Sequence, residues 1–368
     1  MNFVQLKEVL EKEPQYRLKQ AKRVLFQDLI DNWSEAKILP QALREELNEK
    51  CPIEISAEAL GSKDKKTVKA LMTLNDGLKI ESVLMRHRDG RNTICVSSQV
   101  GCPLKCSFCA TGRMGFKRNL DFSEIVGQVL FFARYLKGFK QRVGKEDLSS
   151  SSSKRASAKL KEENEVLFAS AAARVTNVVF MGMGEPFLNY ENVILAIKIL
   201  NDKEGFNLGA RHFSISTVGI GEGIKKLAKE KLQINLAISL HASDNNLRSK
   251  IMPINKKYPI EEILKEVDDY IQKTGKRVMI EYLMIKGLND SDEQAKKLAK
   301  LMKGKPLVFL NLISYNPTGI FQPSLGQRIK KFKEILKKED ISVTQRYRFG
   351  EDITAGCGQL AGNKNLHF

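Results

Sequence analysis

From about residue 90 onward, short apolar runs alternate with longer segments whose apolar residues recur at helical spacing. Candidate strands lie at 93–98, 177–181, 211–217, 234–240, 278–284, 307–313 and 342–347. Candidate helices between them lie at 122–138, 190–202, 220–230, 260–274, 290–303 and 325–338. This alternation predicts a parallel sheet, either barrel-like or open, in an α/β fold. Catalytic residues of such folds lie at the C-terminal ends of the strands.

Two of the candidate helices carry start signals. Asp121 with Glu124, and Asp290 with Glu293, have the spacing of a capping box, in which two side chains satisfy free backbone N–H groups at a helix start. The sequence therefore predicts helices that begin close to Asp121 and Asp290.

Three cysteines stand close together just after the first candidate strand. Cys102, Cys106 and Cys109 have the spacing Cys-x-x-x-Cys-x-x-Cys, and no fourth cysteine lies nearby in the sequence. An iron–sulfur cube held by three thiolates keeps one iron open, as a catalytic rather than a structural metal centre requires. The spacing resembles the signature of radical S-adenosylmethionine (SAM) enzymes, in which the open iron binds the amino and carboxylate groups of SAM.

Composition limits the class of protein. Lys and Arg number 61 against 43 Asp and Glu, a net charge of +18, which favours a polyanionic partner over the alternative of a merely solvated Lys-rich surface. The six cysteines concentrate around one loop, which holds three of them, with a far outlier near the C-terminus. This is unlike a disulfide scaffold, so we expect metal or redox chemistry in a reducing compartment. No apolar run approaches a membrane span and no signal-peptide core is visible, so we expect a cytoplasmic protein without a membrane partner.

The chain divides into four expected regions. Residues 1–72 are expected to form a helical accessory domain whose cationic face suits a nucleic acid, and residues 73–90 a connecting segment. Residues 91–347 are expected to form the catalytic domain, interrupted at 143–174 by a polar, low-complexity insertion. Residues 348–368 form a C-terminal loop. The basic residues Arg17, Lys19, Lys22 and Arg23 also fit an ordinary amphipathic helix with a solvated side.

Polar and glycine-rich segments follow several candidate strands. Phe180-Met-Gly-Met-Gly-Glu-Pro186 ends the second strand, and its Glu185 could accept a hydrogen bond from an amino group; by itself it is an ordinary glycine turn. Ser216 and Thr217 end the third strand and could bind ribose or carboxylate oxygens. His241 follows the fourth strand and Asn316 the sixth, although a lone His is more often a core residue than a ligand.

The remaining cysteines differ in their surroundings. Cys357 lies between Gly356 and Gly358 in a polar tail, which favours a reactive thiol over a buried core cysteine. Cys95 lies on the first candidate strand, and its neighbours in the sequence, taken alone, indicate a core position. Cys51 has no such context and is interpreted as structural.

The motifs together resemble the RlmN family of dual-specificity radical SAM methyltransferases. These enzymes methylate C2 of an adenosine in 23S rRNA and of the adenosine 3′ of the anticodon in certain tRNAs. The resemblance covers nearly the whole chain outside 143–174. It is carried by Thr93-Ile-Cys-Val-Ser-Ser-Gln-Val-Gly-Cys-Pro-Leu-Lys-Cys-Ser-Phe-Cys-Ala-Thr-Gly, Phe-Met-Gly-Met-Gly-Glu-Pro, Ser-Thr-Val-Gly, Leu-Ala-Ile-Ser-Leu-His-Ala, Arg248-Ser-Lys-Ile-Met-Pro-Ile-Asn-Lys-Lys-Tyr-Pro, Gly287-Leu-Asn-Asp-Ser and Ala-Gly-Cys-Gly-Gln-Leu.

The resemblance implies a partial (βα)6 radical SAM barrel with a small N-terminal helical domain. It implies a [4Fe–4S] cluster on Cys102, Cys106 and Cys109, and SAM as second cofactor. It implies 23S rRNA and tRNA as partners, a flavodoxin-type electron donor and a monomer. SAM contacts are implied for Gly184, Glu185, Ser216, Ser239, Leu240, His241 and Asn316.

The resemblance also implies a chemical route. An adenine C2–H carbon is electron-poor, so SAM cannot methylate it by simple displacement. The family first methylates a cysteine that matches Cys357, and a 5′-deoxyadenosyl radical then activates that methyl group for addition to C2. A cysteine matching Cys95 resolves the crosslink through a disulfide. A carboxylate that matches Glu81 accepts a proton in the family. The sequence around Glu81, taken alone, indicates only a charged residue at the edge of a strand.

The sequence departs from the family pattern near its C-terminus, and other classes of protein remain as alternatives. Thr354 and Gly356 replace an Asp and an Ala of the family pattern, and Gly356 is expected to loosen the Cys357 loop. The nearest rival is the sister group that methylates C8, which tends to have Ala where this chain has Pro186. Two alternatives belong to other classes of protein. One is a zinc-bound RNA-binding module without catalysis, and the other is an assembly factor with a vestigial cluster.

Overall fold

The computed structural model describes residues 1–146 and 174–362. Most of the low-complexity segment 143–174 and the last residues, 363–368, lie outside the described part. In the described residues, one large sheet has the strand order β1-β2-β3-β4-β7-β8-β9-β10-β11-β12, and β5 pairs with β6 separately. The strands are β1 (Ala57–Gly61), β2 (Thr67–Thr73), β3 (Lys79–Arg86), β4 (Asn92–Cys95), β5 (Gln99–Gly101), β6 (Phe116–Asn119), β7 (Asn177–Phe180), β8 (Phe213–Thr217), β9 (Asn235–Ser239), β10 (Val278–Met284), β11 (Val308–Ser314) and β12 (Val343–Gln345).

Helices connect the parallel strands. They are α1 (Phe3–Leu10), α2 (Gln15–Phe26), α3 (Gln41–Lys50), α4 (Ala110–Arg113), α5 (Phe122–Glu146), α6 (Tyr190–Asn201), α7 (Gly221–Leu227), α8 (Asn245–Ile251), α9 (Ile260–Thr274), α10 (Asp292–Met302) and α11 (Gly326–Lys338). Strands from β4 through β7 to β12 all run parallel, whereas β1 to β4 pair antiparallel. Within residues 1–146 and 174–362, the sheet runs from β1 to β12 and these two edge strands do not pair with each other, which confirms the expected partial barrel.

Helix α9 shows how local sequence produces these elements. Its apolar residues Ile260, Ile263, Leu264 and Val267 are all buried, at the spacing that places them on one face. The helix ends where Gly275 adopts a left-handed conformation, φ 65°, which residues other than glycine rarely adopt. Apolar spacing and the terminating glycine thus fix the bounds predicted from the sequence, 260–274.

All seven predicted strands and all six predicted helices are present. Their ends are displaced by three residues or fewer, except that the helix predicted at 122–138 extends to Glu146. The predicted cap at Asp121 is confirmed, since its backbone N–H donates to Glu124 and its side chain accepts from the Glu124 N–H, both at 3.0 Å. The predicted cap at Asp290 is wrong by one residue. Ser291 caps α10 instead, and Asp290 accepts from the Gly287 N–H and the Ser324 hydroxyl.

The expectation that residues 1–72 are helical is wrong beyond Lys50. Strands β1 and β2 follow α3, and the expected connecting segment 73–90 contains β3, which pairs with β2 and β4. Strand β2 is buried on both faces, so it lacks the alternation that marks a half-exposed strand. Its pairing with distant residues, rather than its local pattern, makes it a strand.

The buried residues of the three N-terminal helices belong to the same hydrophobic core as those of the barrel. Trp33 is fully buried, and its indole N–H donates to the carbonyl of Cys51 at 2.8 Å. Burial raises the pKa of the Cys51 thiol to about 11, so the thiol is neutral at ordinary pH. Among the described residues, we find no helix whose length and apolar character would let it cross a membrane.

Candidate active site

The loop between β5 and α4 carries Cys102, Cys106 and Cys109. Gly101 has φ 75°, and a side chain there would collide with the carbonyl of Gly115. The backbone N–H of Cys102 donates to that same carbonyl at 3.0 Å. This close pairing turns the chain sharply, so that the three thiols lie along one wall of a cavity.

The cavity, of about 150 Å³, lies where the predicted strand ends converge. It collects most of the residues that the sequence assigned to the cluster, to SAM and to the reactive thiol. Those that line it are Cys102, Cys106, Cys109, Gly184, Glu185, Ser216, Ser239, His241 and Cys357. Leu240 is fully buried next to this wall without lining it, and Asn316 lines an adjoining cavity.

Glu185 is almost fully buried at the end of β7. Its carboxylate accepts backbone N–H bonds from Phe187 at 3.1 Å and from Val218 at 2.9 Å. Burial raises its pKa to about 7, although hydrogen bonds from Thr217 and those backbone groups oppose the shift. Part of its hydrogen-bonding capacity therefore holds the loops after β7 and β8 together, and the remainder faces the cavity.

His241 follows β9 in a left-handed conformation, φ 60°. Its Nδ1 accepts the backbone N–H of Leu283 at 3.2 Å, so the ring proton of the neutral form lies on Nε2. Burial lowers its pKa to about 4, and the ring packs edge-on against Phe108 with centroids 5.2 Å apart. His241 is thus a neutral, oriented donor in the cavity wall.

Two functional candidates were missed by sequence reasoning. Glu281 on β10 is almost fully buried and accepts hydrogen bonds from Ser216 Oγ at 2.6 Å and from Arg346 at 2.9 Å. Arg346, just after β12, also donates to the sulfur of Cys357 at 3.4 Å. A single acidic residue within the apolar run Val278–Met284 is a signal that would have found Glu281.

The tail brings Cys357 into this cavity. Asn316 Nδ2 donates to the Cys357 carbonyl at 3.2 Å. A Cβ on Gly356 would lie 2.5 Å from the side chain of Asn316, so glycine has a packing role here besides the loosening of the loop that the sequence predicts. Glycine here permits a close approach to Asn316.

A second, inner cavity of about 280 Å³ lies inside the barrel beyond Cys357. Cys357, Arg346 and Met181 line both cavities, whereas Cys95 and Asn316 line the inner one. Burial and the nearby Cys357 raise the pKa of the Cys95 thiol to about 12. Both cysteines are free thiols in this structure.

Glu81 lines neither cavity. Its carboxylate pairs with Lys69 at 3.0 Å and accepts the backbone N–H of Ala361 at 2.7 Å. Lys69 also lies 3.3 Å from the hydroxyl of Thr354. The structure therefore places Glu81 beside the tail that carries Cys357, where it ties that tail to β3.

The expected cationic face of α2 is largely paired. Lys22 contacts Asp202 at 2.7 Å and Lys19 contacts Glu204 at 3.0 Å, both in the loop after α6. Arg23 lies 4.0 Å from Asp28. This side of α2 packs toward the barrel, although the side chains of Lys19 and Arg23 remain more than half exposed.

The three cysteines fit an iron–sulfur cube. In residues 1–146 and 174–362, no three His, Cys, Asp or Glu side chains converge closely enough to share a single metal ion. A cube binds each thiolate at a separate iron, so its ligands stand farther apart than those of a tetrahedral zinc. Cys102, Cys106 and Cys109 would hold the cluster, and Glu185, Ser216 and Ser239 line the same cavity.

Known proteins share this fold. A family model described as the radical SAM superfamily matches residues 96–299. The crystal structure of a radical SAM methyltransferase from Sphaerobacter thermophilus has a TM-score of 0.84 and 38% sequence identity, and the match covers 99% of this chain and 98% of that chain. The fold and the site define a radical SAM enzyme, whose cofactors are a [4Fe–4S] cluster and SAM.

Curated relatives narrow this class. A protein of Dictyoglomus turgidum named "Probable dual-specificity RNA methyltransferase RlmN" is 45% identical over 350 residues, 95% of this chain and 91% of the relative. A Nitrosopumilus maritimus protein named "Ribosomal RNA large subunit methyltransferase N" is 41% identical over 355 residues, 94% and 92% of the two chains. The chain belongs to the RlmN family and is a SAM-dependent methyltransferase.

Proposed function

We propose that the protein methylates C2 of an adenine in 23S rRNA and of the adenine 3′ of the anticodon in certain tRNAs. The observation that carries this proposal is the position of Cys357. Its thiol lines the same cavity as the three cluster cysteines, although it lies near the other end of the chain. A second thiol, Cys95, lines the cavity behind it, as a carrier-and-resolver pair requires.

Different residues of this chain have different roles in the reaction. When bound, the cluster and SAM supply a methyl group for Cys357 and a 5′-deoxyadenosyl radical. Glu185, Ser216 and Ser239 offer oxygens to the amino and hydroxyl groups of SAM, and His241 offers its Nε2–H. Cys357 receives the methyl group and presents it to the adenine. The buried walls exclude water, which would quench a radical intermediate.

Cys95 and Glu81 act after the methyl carbon has bonded to C2. The adduct first loses its C2 proton and one electron, which the cluster would accept. Cys95 then gives up its proton and attacks the Cys357 sulfur, so that the S–S bond forms as the C–S bond breaks; the released carbon keeps the electron pair and takes up a proton to become the methyl group. Both thiols border the inner cavity. Glu81 accepts the C2 proton in the family. In this structure it holds the tail through Ala361, so its access to the adenine requires the tail to move when RNA binds.

The RNA partner agrees with the charge of +18. The remaining partners follow from the same assignment. A flavodoxin-type protein supplies electrons to the cluster, and the enzyme works as a monomer in the cytoplasm.

The test is nucleoside analysis of transcribed rRNA and tRNA fragments after incubation with reconstituted protein, SAM and a reductant. The proposal predicts 2-methyladenosine, with Cys109→Ala as the inactive matched control. Methyl groups found only at C8 would assign the protein to the sister group. RNA binding without any transfer would favour the assembly factor.

A further inference from the structure

Arg346 occupies the boundary between the two cavities. Its Nη1 lies 3.4 Å from Cys357 Sγ, and its Nη2 lies 2.9 Å from Glu281 Oε1 and 3.3 Å from Met181 Sδ. The side chain retains 26% of its surface, and it lines both cavities. The guanidinium is therefore in direct contact with the sulfur that the proposed function uses.

Glu281 fixes the direction of that guanidinium. Its carboxylate is buried, and it binds Arg346 through one oxygen. The other oxygen accepts from Ser216 Oγ at 2.6 Å and from Ser239 Oγ at 3.4 Å. A buried carboxylate with all these partners holds one geometry, because losing any of them would leave charge unpaired in a dry site.

The surroundings of Arg346 also favour its positively charged form. Burial by itself would lower its pKa, but Glu281 and the sulfurs of Cys357 and Cys95 outweigh burial and raise it. A fixed cation beside a thiol stabilises the thiolate over the neutral thiol. The other titratable groups that line the two cavities are Glu185, His241, Cys95, Cys102, Cys106, Cys109, His87, Arg91, Tyr347 and Arg348.

We propose that Arg346 is the positioning residue that orients the Cys357 sulfur for methyl transfer, with Glu281 holding Arg346 in place. This inference rests on the proposed function, in which Cys357 is the methyl carrier. The hydroxyls of Ser216 and Ser239 join the same network, so the groups that face SAM and the group that orients the nucleophile are connected through Glu281.

The step balances in atoms and charge. The Cys357 thiol first releases its proton to solvent. The thiolate electron pair then forms the new S–CH₃ bond, and the C–S bond of the sulfonium donor breaks with its electron pair left on the donor sulfur. One negative and one positive charge become two neutral thioethers, so the low-polarity cavity favours the products.

The test measures Cys357 in the full, cluster-loaded protein by peptide mass spectrometry at one pH. The first readout is the rate of alkylation by iodoacetamide without SAM. The second is single-turnover transfer of a deuterated methyl group from SAM. Arg346→Met is expected to lower both rates by about 10- to 100-fold, the effect of removing a hydrogen bond from a charged donor. Arg346→Lys is expected to recover most of the alkylation rate, and Glu281→Gln to fall between the two.

Arg348→Met is the matched control, because Arg348 lines the inner cavity but donates to Ser314 and Glu351 rather than to the sulfur. Cluster absorbance confirms that each variant is folded, and if Arg346→Met fails to assemble, Glu281→Gln carries the test. Parental alkylation and methylation rates in Arg346→Met or Glu281→Gln would overturn the inference. A parent protein that never methylates Cys357 would refute the carrier role itself, while the alkylation rates would still decide whether Arg346 activates the sulfur.

Discussion

The backbone N–H of Ala110 donates to the carbonyl of Gly358 at 2.7 Å. Ala110 directly follows Cys109, which we propose as a cluster ligand, and Gly358 directly follows Cys357. The Thr111 hydroxyl adds a bond to the Leu360 carbonyl at 2.6 Å. Hydrogen bonds therefore join the loop that carries Cys109 to the tail that carries Cys357.

This coupling predicts that loss of the cluster loosens the tail. Cys102→Ala should abolish iron binding, and hydrogen exchange of the amides at 355–362 should become faster because their partner loop is no longer fixed by metal. Hydrogen-exchange mass spectrometry checks this. Cys51→Ala, which removes the buried cysteine that follows α3, should retain iron and leave tail exchange unchanged. Equal tail protection with and without iron would contradict the coupling.

The ring of His241 should stay neutral well below its ordinary pKa. Its pKa is lowered to about 4 from 6.5 in the unfolded chain, so the unfolded chain binds more protons between these values. Stability from this group is therefore lost as pH falls from 6.5 to about 4, by about 3 kcal/mol. NMR spectra should show the signal of a neutral histidine ring protonated at Nε2, with no change in chemical shift from pH 8 to 5. This signal should be absent from the spectra of His241→Asn. Titration near pH 6.5 would show that the ring is not held as described.

The pair of Lys69 and Glu81 should contribute strongly to stability. Lys69→Met leaves the buried Glu81 carboxylate without its cation, and we expect a loss of about 3 kcal/mol in the free energy of unfolding. Lys7→Met, which removes an exposed pair with Glu11, should cost less than about 1 kcal/mol. Urea denaturation compares the two variants. Equal, small losses would mean that Glu81 is solvated rather than paired.

The cationic face of α2 gives a prediction about RNA. Lys19→Glu with Arg23→Glu should weaken tRNA binding, because two partly exposed cations become anions, while SAM cleavage remains intact. Lys296→Glu with Lys300→Glu, on the exposed side of α10, changes the net charge equally and is the matched control. Filter binding at fixed salt measures both. Equal affinity of the α2 variant and the parent would place the RNA surface elsewhere.

The parallel strands could be predicted because burial on both faces gives them long apolar runs, as in Val278–Met284. Strands β1 to β3 could not, since they are strands only through antiparallel pairing that extends the sheet beyond β4. Local pattern does not encode which distant segment completes a sheet edge.

Some residues of the candidate site could likewise be predicted from the sequence, and others could not. Residues in glycine-rich motifs at strand ends, such as Gly184 and Glu185, reach the predicted cavity because parallel strands end at one rim. Arg346 and Glu281 carry no motif, and only the folded barrel brings them to Cys357. Glu81 was assigned by resemblance, and its contact with Ala361 could be found only in three dimensions.

The most direct test of the central claim compares the parent protein with Cys357→Ala on transcribed rRNA and tRNA fragments. Reduced Cys357→Ala should still cleave SAM to 5′-deoxyadenosine, because its three cluster cysteines are unchanged, yet it should produce no methylated adenine. The parent should produce 2-methyladenosine in the same reaction. Methylation of RNA by Cys357→Ala at the parental rate would contradict the account.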